Sequence, residues 1–254
     1  MRVLITAGAS GIGRAMGEAF DTAGYEVWVT DVDRDALAKL PDGWHGHLCD
    51  ASDEGDVAAV FQAIAGAGGL DVLCANAGVA GPTALIEDIA LEDWRTCVSV
   101  NLEGAFLAAK YAAPIMKEQN AGSIILTSST AGIYGYPNRA PYASAKWAVI
   151  GLMKTLAMEL GPYNIRANAI APGCVDGPRI DGVIAREADA KNTTPEAIRA
   201  GYEAGVSMRS FVSADDIANM ALFLAGNGAR LVSGQVIAVD GGFQAVGIGL
   251  PALR

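Results

Sequence analysis

Tyr142 and Lys146, the ends of Tyr142-Ala143-Ser144-Ala145-Lys146, put a phenol and an ammonium one helical turn apart on the same face. A phenol titrates near pH 10, so it exchanges protons near neutrality only where positive charge favours its anion. Lysine supplies that charge. The pair alone is a weak signal, because chance produces such spacings. Ser129, 13 residues upstream at the end of the run Ile124-Ile125-Leu126-Thr127, adds a hydroxyl suited to hold a substrate oxygen and steady charge on it.

A second cluster opens the chain. Thr6-Ala7-Gly8-Ala9-Ser10-Gly11-Ile12-Gly13 joins an apolar run to a helical pattern. Glycines there allow a tight turn and bring backbone N–H groups up to a pyrophosphate at a helix N-terminus. Gly8 and Gly13 also have the spacing of a nucleotide triphosphate loop. Arg14-Ala15 stands where that loop needs Lys and Ser/Thr, which excludes it. Asp31 lies 18 residues after Gly13 at the end of Val29-Thr30, where a carboxylate would accept from both hydroxyls of an adenosine ribose. It would repel a 2′-phosphate, so NAD is expected over NADP.

Elements of the right kind exist to position these groups. Arg2–Thr6, Glu26–Thr30, Asp71–Ala75, Ser123–Thr127, Arg166–Ala171 and Gln235–Val239 are short apolar runs rich in β-branched residues, as expected of strands buried on both faces. Helical spacing fills the intervals: Ile12, Ala15, Met16, Ala19 and Phe20 before Gly24; Val149 to Leu160 before Gly161-Pro162; and Ile217 to Leu224 after Ser213-Ala214-Asp215-Asp216. The alternation predicts one doubly wound α/β domain over residues 1–254. Residues 176–208 escape it and are read as a substrate lid with a helix over Ala197–Ala204; the tail 243–254 is read as packing on another subunit.

Composition limits the partners. A net charge of −10 repels nucleic acid and anionic membranes, and the basic residues are scattered. Cys49, Cys74, Cys97 and Cys174 lack metal or redox spacing and read as inert; His45 and His47 have no Cys/His ligand spacing near them, so no metal is expected. The start enters a strand-like run without the apolar stretch of a signal peptide, and no run reaches membrane-spanning length, so a cytoplasmic protein is expected.

Taken in order, the glycine turn, Asp50, Asn76-Ala77-Gly78, Asn101, Ser129, Tyr142-x-x-x-Lys146, Pro172-Gly173 and Val239-Asp240-Gly241-Gly242 resemble the short-chain dehydrogenase/reductase family over residues 1 to about 242. The resemblance implies a Rossmann-type sheet of seven parallel strands, a homotetramer, and hydride transfer between NAD and a secondary alcohol or ketone. It implies a tetrad of Asn101, Ser129, Tyr142 and Lys146, with Lys146 also on the nicotinamide ribose and Asn101 ordering a water between Lys146 and solvent. Further cofactor contacts are implied for Gly8, Ser10, Gly11, Ile12, Gly13, Asp31, Asp50, Ala51, Asn76, Ala77, Gly78, Pro172, Gly173 and Val175.

Two positions depart from the family pattern. Ala7 stands where the family has glycine; its methyl is expected to fit an ordinary backbone angle, with Gly8 absorbing any strain. Gly177 stands where a threonine often meets the nicotinamide carboxamide, leaving backbone groups of Cys174 and Val175 to serve. Thr130, Tyr134, Tyr136, Asn138, Arg139 and Arg179 are the expected substrate lining, mixing aromatic walls with guanidinium groups suited to an anion. A small polar substrate is expected: a sugar, polyol or hydroxy acid. The alternatives are a 3-oxoacyl thioester, a bulky apolar ketone, a dehydratase or epimerase on the same scaffold, and a non-catalytic NAD(H)-binding module.

Overall fold

The computed structural model describes residues 1–243. Seven strands, β1 (Arg2–Thr6), β2 (Glu26–Asp31), β3 (His45–Leu48), β4 (Val72–Ala75), β5 (Gly122–Thr127), β6 (Ile165–Pro172) and β7 (Val236–Val239), form one parallel sheet in the order β3-β2-β1-β4-β5-β6-β7. The chain winds outward from β1 in one direction and from β4 in the other. The order therefore reverses between β1 and β4, and the crevice at their carboxyl ends is where ligands bind in such sheets.

Burial on both faces explains the near-continuous apolar strands. Leu4, Leu73, Ile124, Leu126 and Ala167 pack under α3 (Glu54–Gly66), α5 (Gly104–Gln119) and α6 (Ala140–Leu160), meeting Phe61, Ile64, Met116 and Met153. Their neighbours Val3, Ile5, Cys74, Ile125 and Ile170 pack on the other face against Met16 and Phe20 of α1 (Gly11–Thr22) and Ile217 and Leu224 of α9 (Ala214–Ala225). The stops behave as their chemistry dictates. Gly24 takes φ 82° just past α1, and Ser213 with Asp216 forms a capping box at the start of α9.

The lid region departs from expectation in one respect. Beside α8 (Pro195–Ala204), which contains the expected helix, residues Pro178–Ala190 form α7, an amphipathic helix burying Val183, Ile184 and Ala188. The expected docking of the tail falls almost wholly on residues 244–254, outside the described residues. Phe243 alone is described, in an antiparallel bridge to Val206.

Candidate active site

The glycine turn is built by close approach. A Cβ on Gly13 would lie 2.1 Å from the Ala7 carbonyl oxygen, so only glycine lets α1 start so near the end of β1. Ser10 caps α1 without a side-chain hydrogen bond, leaving first-turn N–H groups free for an anion. The carboxylate of Asp31 accepts from the backbone N–H of Ala9 at 3.2 Å, which fixes it against the same turn. An anionic dinucleotide fits these residues: a bare helix N-terminus for its pyrophosphate and a carboxylate beside the turn for a ribose.

The expectation for Ala7 is corrected. Ala7 itself takes the left-handed angle, φ 52°, and carries the strain that Gly8 was expected to absorb. Gly8 is glycine for another reason: a Cβ there would lie 2.6 Å from Val29 Cγ1.

Asn76 holds the crevice together. Its backbone N–H donates to Thr6 Oγ1, its amide nitrogen donates to the Thr6 and Ala7 carbonyls, and its Oδ1 accepts from Thr127 Oγ1. The carboxyl ends of β1, β4 and β5 are thus tied by one side chain. Thr6 Oγ1 also accepts from the Ala77 N–H, a structural role that its place at the end of an apolar run could have signalled.

The chemistry-bearing groups gather beyond these strand ends, around a cavity of about 520 Å³. Ser129 lies two residues past β5, capping the turn Thr130–Gly132, and its Oγ accepts from the Ala131 N–H at 3.2 Å. Tyr142 and Lys146 lie on the first turns of α6. Lys146 is buried, its Nζ donates to the Thr127 carbonyl at 2.8 Å, and it lies 5.7 Å from the centre of the Tyr142 ring. Burial, reinforced by the charge of Arg179, lowers the Lys146 pKa to about 7. Ser128, not anticipated, fixes the backbone here by donating to the Lys146 carbonyl at 2.9 Å.

Asn101 reaches the group from below. It lies in a π-helical turn, Ser99–Glu103, between α4 (Leu91–Val98) and α5, and its amide nitrogen donates to the Cys97 and Val79 carbonyls. Its Oδ1 is buried with no partner among the described residues. A Cβ on Gly78 would lie 2.5 Å from that oxygen and 3.2 Å from Lys146 Nζ, so the amide and the amine face each other within reach of one bridging water.

Not every expected residue faces the cavity. Ser10, Gly11, Ile12, Gly13, Asn76, Gly78, Pro172, Gly173 and Val175 line it, as do Thr130, Tyr136, Arg139 and Arg179. Gly8, Asp31, Asp50, Ala51, Ala77 and the buried Asn101 lie outside its lining, as do Tyr134 and Asn138. The Asp50 Oδ1 is occupied by Ser52, and Ala51 is buried against Gly104. Asn138 takes φ 62°, and its carbonyl accepts from Ala84. Cys174 lines the cavity, with burial pushing its thiol up to about 11. Among the described residues no cluster of side chains is arranged to hold a metal ion.

A family model described as enoyl-(acyl carrier protein) reductase matches residues 6–244. The 3-oxoacyl-[acyl-carrier-protein] reductase of Thermotoga maritima is 35% identical over 247 residues, 94% of this chain and 96% of that protein. The chain belongs to the short-chain dehydrogenase/reductase family. Cis-4-hydroxycyclohexanecarboxylate dehydrogenase of Sinomonas cyclohexanicum, 34% identical over 96% of each chain, is another relative. The crystal structure of NAD+-bound xylitol dehydrogenase superposes with a TM-score of 0.91 at 29% identity, covering 95% of this chain and 98% of that one. The protein is accordingly a short-chain oxidoreductase of CH–OH and ketone groups on a single Rossmann-type domain.

Gly177, the second departure from the family pattern, has a backbone cause. It takes φ 136° immediately before α7, a region a threonine would resist. The Cys174 carbonyl, expected to serve the cofactor instead, already accepts from the Val212 N–H at 3.0 Å. The Val175 backbone is what remains nearby.

Proposed function

We propose that this protein is an NAD-dependent dehydrogenase or reductase of a small polar secondary alcohol, working through Asn101, Ser129, Tyr142 and Lys146. The observation that carries the reading is Lys146: a buried amine beside the Tyr142 ring, with no carboxylate partner among the described residues. Nature rarely buries an unpaired lysine without a use for its proton or charge.

The bound nicotinamide supplies the two-electron acceptor or donor for hydride. In the oxidative direction Tyr142 takes the hydroxyl proton of the substrate as the carbon–oxygen double bond forms, and in reduction it returns that proton. Ser129 holds the same oxygen. Protonated Lys146 favours the phenolate by charge and, with Asn101 and a bridging water, links the phenol to solvent. The glycine turn would seat the pyrophosphate, and Asp31 would accept from the adenosine ribose and favour NAD. Asp50 and Ala51 would serve the adenine end, and the segment 176–208 would cover the substrate.

The relatives' substrates span acyl thioesters, a ring-borne hydroxy acid, a polyol and the apolar alcohol borneol. The cavity's donors favour the hydroxy acid and polyol end of that range. Phe106, Trp147 and Met158, exposed on α5 and α6, support the homotetramer implied by resemblance. No helix among the described residues is long and apolar enough to cross a membrane.

The test is NADH formation from NAD, and NADPH formation from NADP, followed by absorbance against polyols, sugars, hydroxy acids, 3-hydroxyacyl thioesters and hydrophobic secondary alcohols. Turnover of a small polar alcohol with NAD preferred is the expected result. Turnover of thioesters alone, or NADP preference, overturns the substrate or cofactor assignment. Tight NADH binding with no turnover favours the non-catalytic module.

A further inference from the structure

Arg139 is a buried cation without a counter-charge among the described residues. It is 7% exposed and lines the cavity. A guanidinium stays charged in proteins, so burying one requires acceptors that satisfy it. Nη2 donates to the Ala80 carbonyl at 2.6 Å, and the guanidinium carbon lies 5.0 Å from the centre of the Tyr142 ring. Its Nε, also buried, has no partner among the described residues.

Among the described residues no carboxylate pairs with it. Among the described residues neither Arg139 nor Arg179 enters an ion pair. Glu187 is close enough for its charge to be felt, but its carboxylate is engaged by Lys191 and by the Tyr202 hydroxyl, both at 2.6 Å. Asp176, on the cavity wall, pairs with Arg199. Residues 244–254 contain no Asp or Glu. Three cations, Arg139, Lys146 and Arg179, therefore share one cavity wall in a chain whose net charge is −10.

We propose that Arg139, assisted by Arg179, is the seat of a carboxylate on the substrate, so that the molecule oxidised or reduced is a hydroxy acid or keto acid in its anionic form. The proposal rests on the dehydrogenase reading and narrows it. The stacking of Arg139 on Tyr142 places the anion beside the reacting oxygen. The N–H groups at the start of α1 are a different set of donors, which would serve the cofactor's pyrophosphate. The same contact gives Arg139 a positioning role, since it holds the Ala80 loop and the face of the phenol ring together.

The test compares hydroxy acids such as 3-hydroxybutyrate and 3-hydroxycyclohexanecarboxylate with their primary amides, in the wild type and in Arg139→Met and Arg139→Lys. The wild type is expected to favour the acid in kcat/KM. Arg139→Met should cut the acid-to-amide ratio by roughly 10- to 100-fold, the range for a buried charge-assisted hydrogen bond, and Arg139→Lys should recover part of it. Taking the ratio removes any common loss from a shifted Tyr142. Calorimetry of acetoacetate binding to the NADH-loaded protein gives a readout that needs no turnover, and Arg139→Met should weaken it similarly. A wild type that oxidises amides as well as acids, or a ratio unmoved by Arg139→Met, overturns the anion seat and leaves the dehydrogenase intact. Acetoacetate binding that depends on Arg139, without oxidation of any alcohol, supports the seat and overturns the dehydrogenase reading.

Discussion

Replacing Lys146 by methionine should make the protein more stable, and most so in acid. The folded-state pKa of Lys146 is lowered from 10.5 to about 7 because burial penalises the ammonium. The unfolded chain therefore binds a proton that the folded chain sheds between pH 7 and 10.5, and stability rises with pH across that window. At about 1.4 kcal/mol per pH unit, a charged Lys146 costs on the order of 5 kcal/mol at or below pH 7, and the cost vanishes above pH 10.5. Methionine fills similar space but leaves the Thr127 carbonyl without its 2.8 Å donor, a loss of about 1 kcal/mol. Urea denaturation without cofactor should show Lys146→Met more stable by about 3–4 kcal/mol at pH 6, with the gap closing to within about 1 kcal/mol by pH 10. Other groups titrating in alkali are common to both proteins and cancel. A gap independent of pH, or a variant less stable at pH 6, would refute the argument that Lys146 is kept at a cost to folding.

Three further outcomes follow from backbone angles and charge. Ala7→Gly relieves a left-handed alanine and should stabilise the fold by about 0.5–1 kcal/mol in thermal melts; an unchanged or lower melting temperature contradicts the strain. Gly177→Thr restores the residue common in the family but forces it to φ 136°, so it should cost about 1–3 kcal/mol and fail to tighten NADH binding in a fluorescence titration. Tighter binding would show that the backbone there adapts. Asp31→Ala should narrow the NAD:NADP ratio in kcat/KM, and an unchanged ratio would remove Asp31 as the cofactor selector.

Much of the architecture was legible because it rests on patterns the core enforces. Residues such as Leu4, Ile5, Ile124 and Ile125 are apolar in succession because each face of the sheet is covered by helices. β3 carried no such signal. It is an edge strand of sequence His45-Gly46-His47-Leu48, held beside Trp28, whose ring stacks on both histidines. α7 was missed because Gly177-Pro178 looks like a loop and its apolar residues are interleaved with Asp181, Arg186 and Glu187.

Within the site, Tyr142, Lys146 and Ser129 were readable as types and spacings, and the fold brings them to one cavity. The π-helical turn that aims Asn101 has no side-chain signature. The left-handed angle of Ala7 is equally silent, being fixed by the way β1 meets α1. Arg139 was expected in the substrate lining, but its burial had no signature in the sequence; the packing of its loop produces it.

The central claim is that Tyr142 moves the proton. The direct measurement is kcat/KM for the wild type and Tyr142→Phe on the best alcohol substrate, with NADH affinity determined in parallel by fluorescence. Loss of about 10²–10⁴-fold in kcat/KM, with NADH affinity held within about twofold, is the result expected for removal of a general acid–base. A phenylalanine variant that keeps turnover within about tenfold of the wild type would place the proton chemistry on another group and contradict the account.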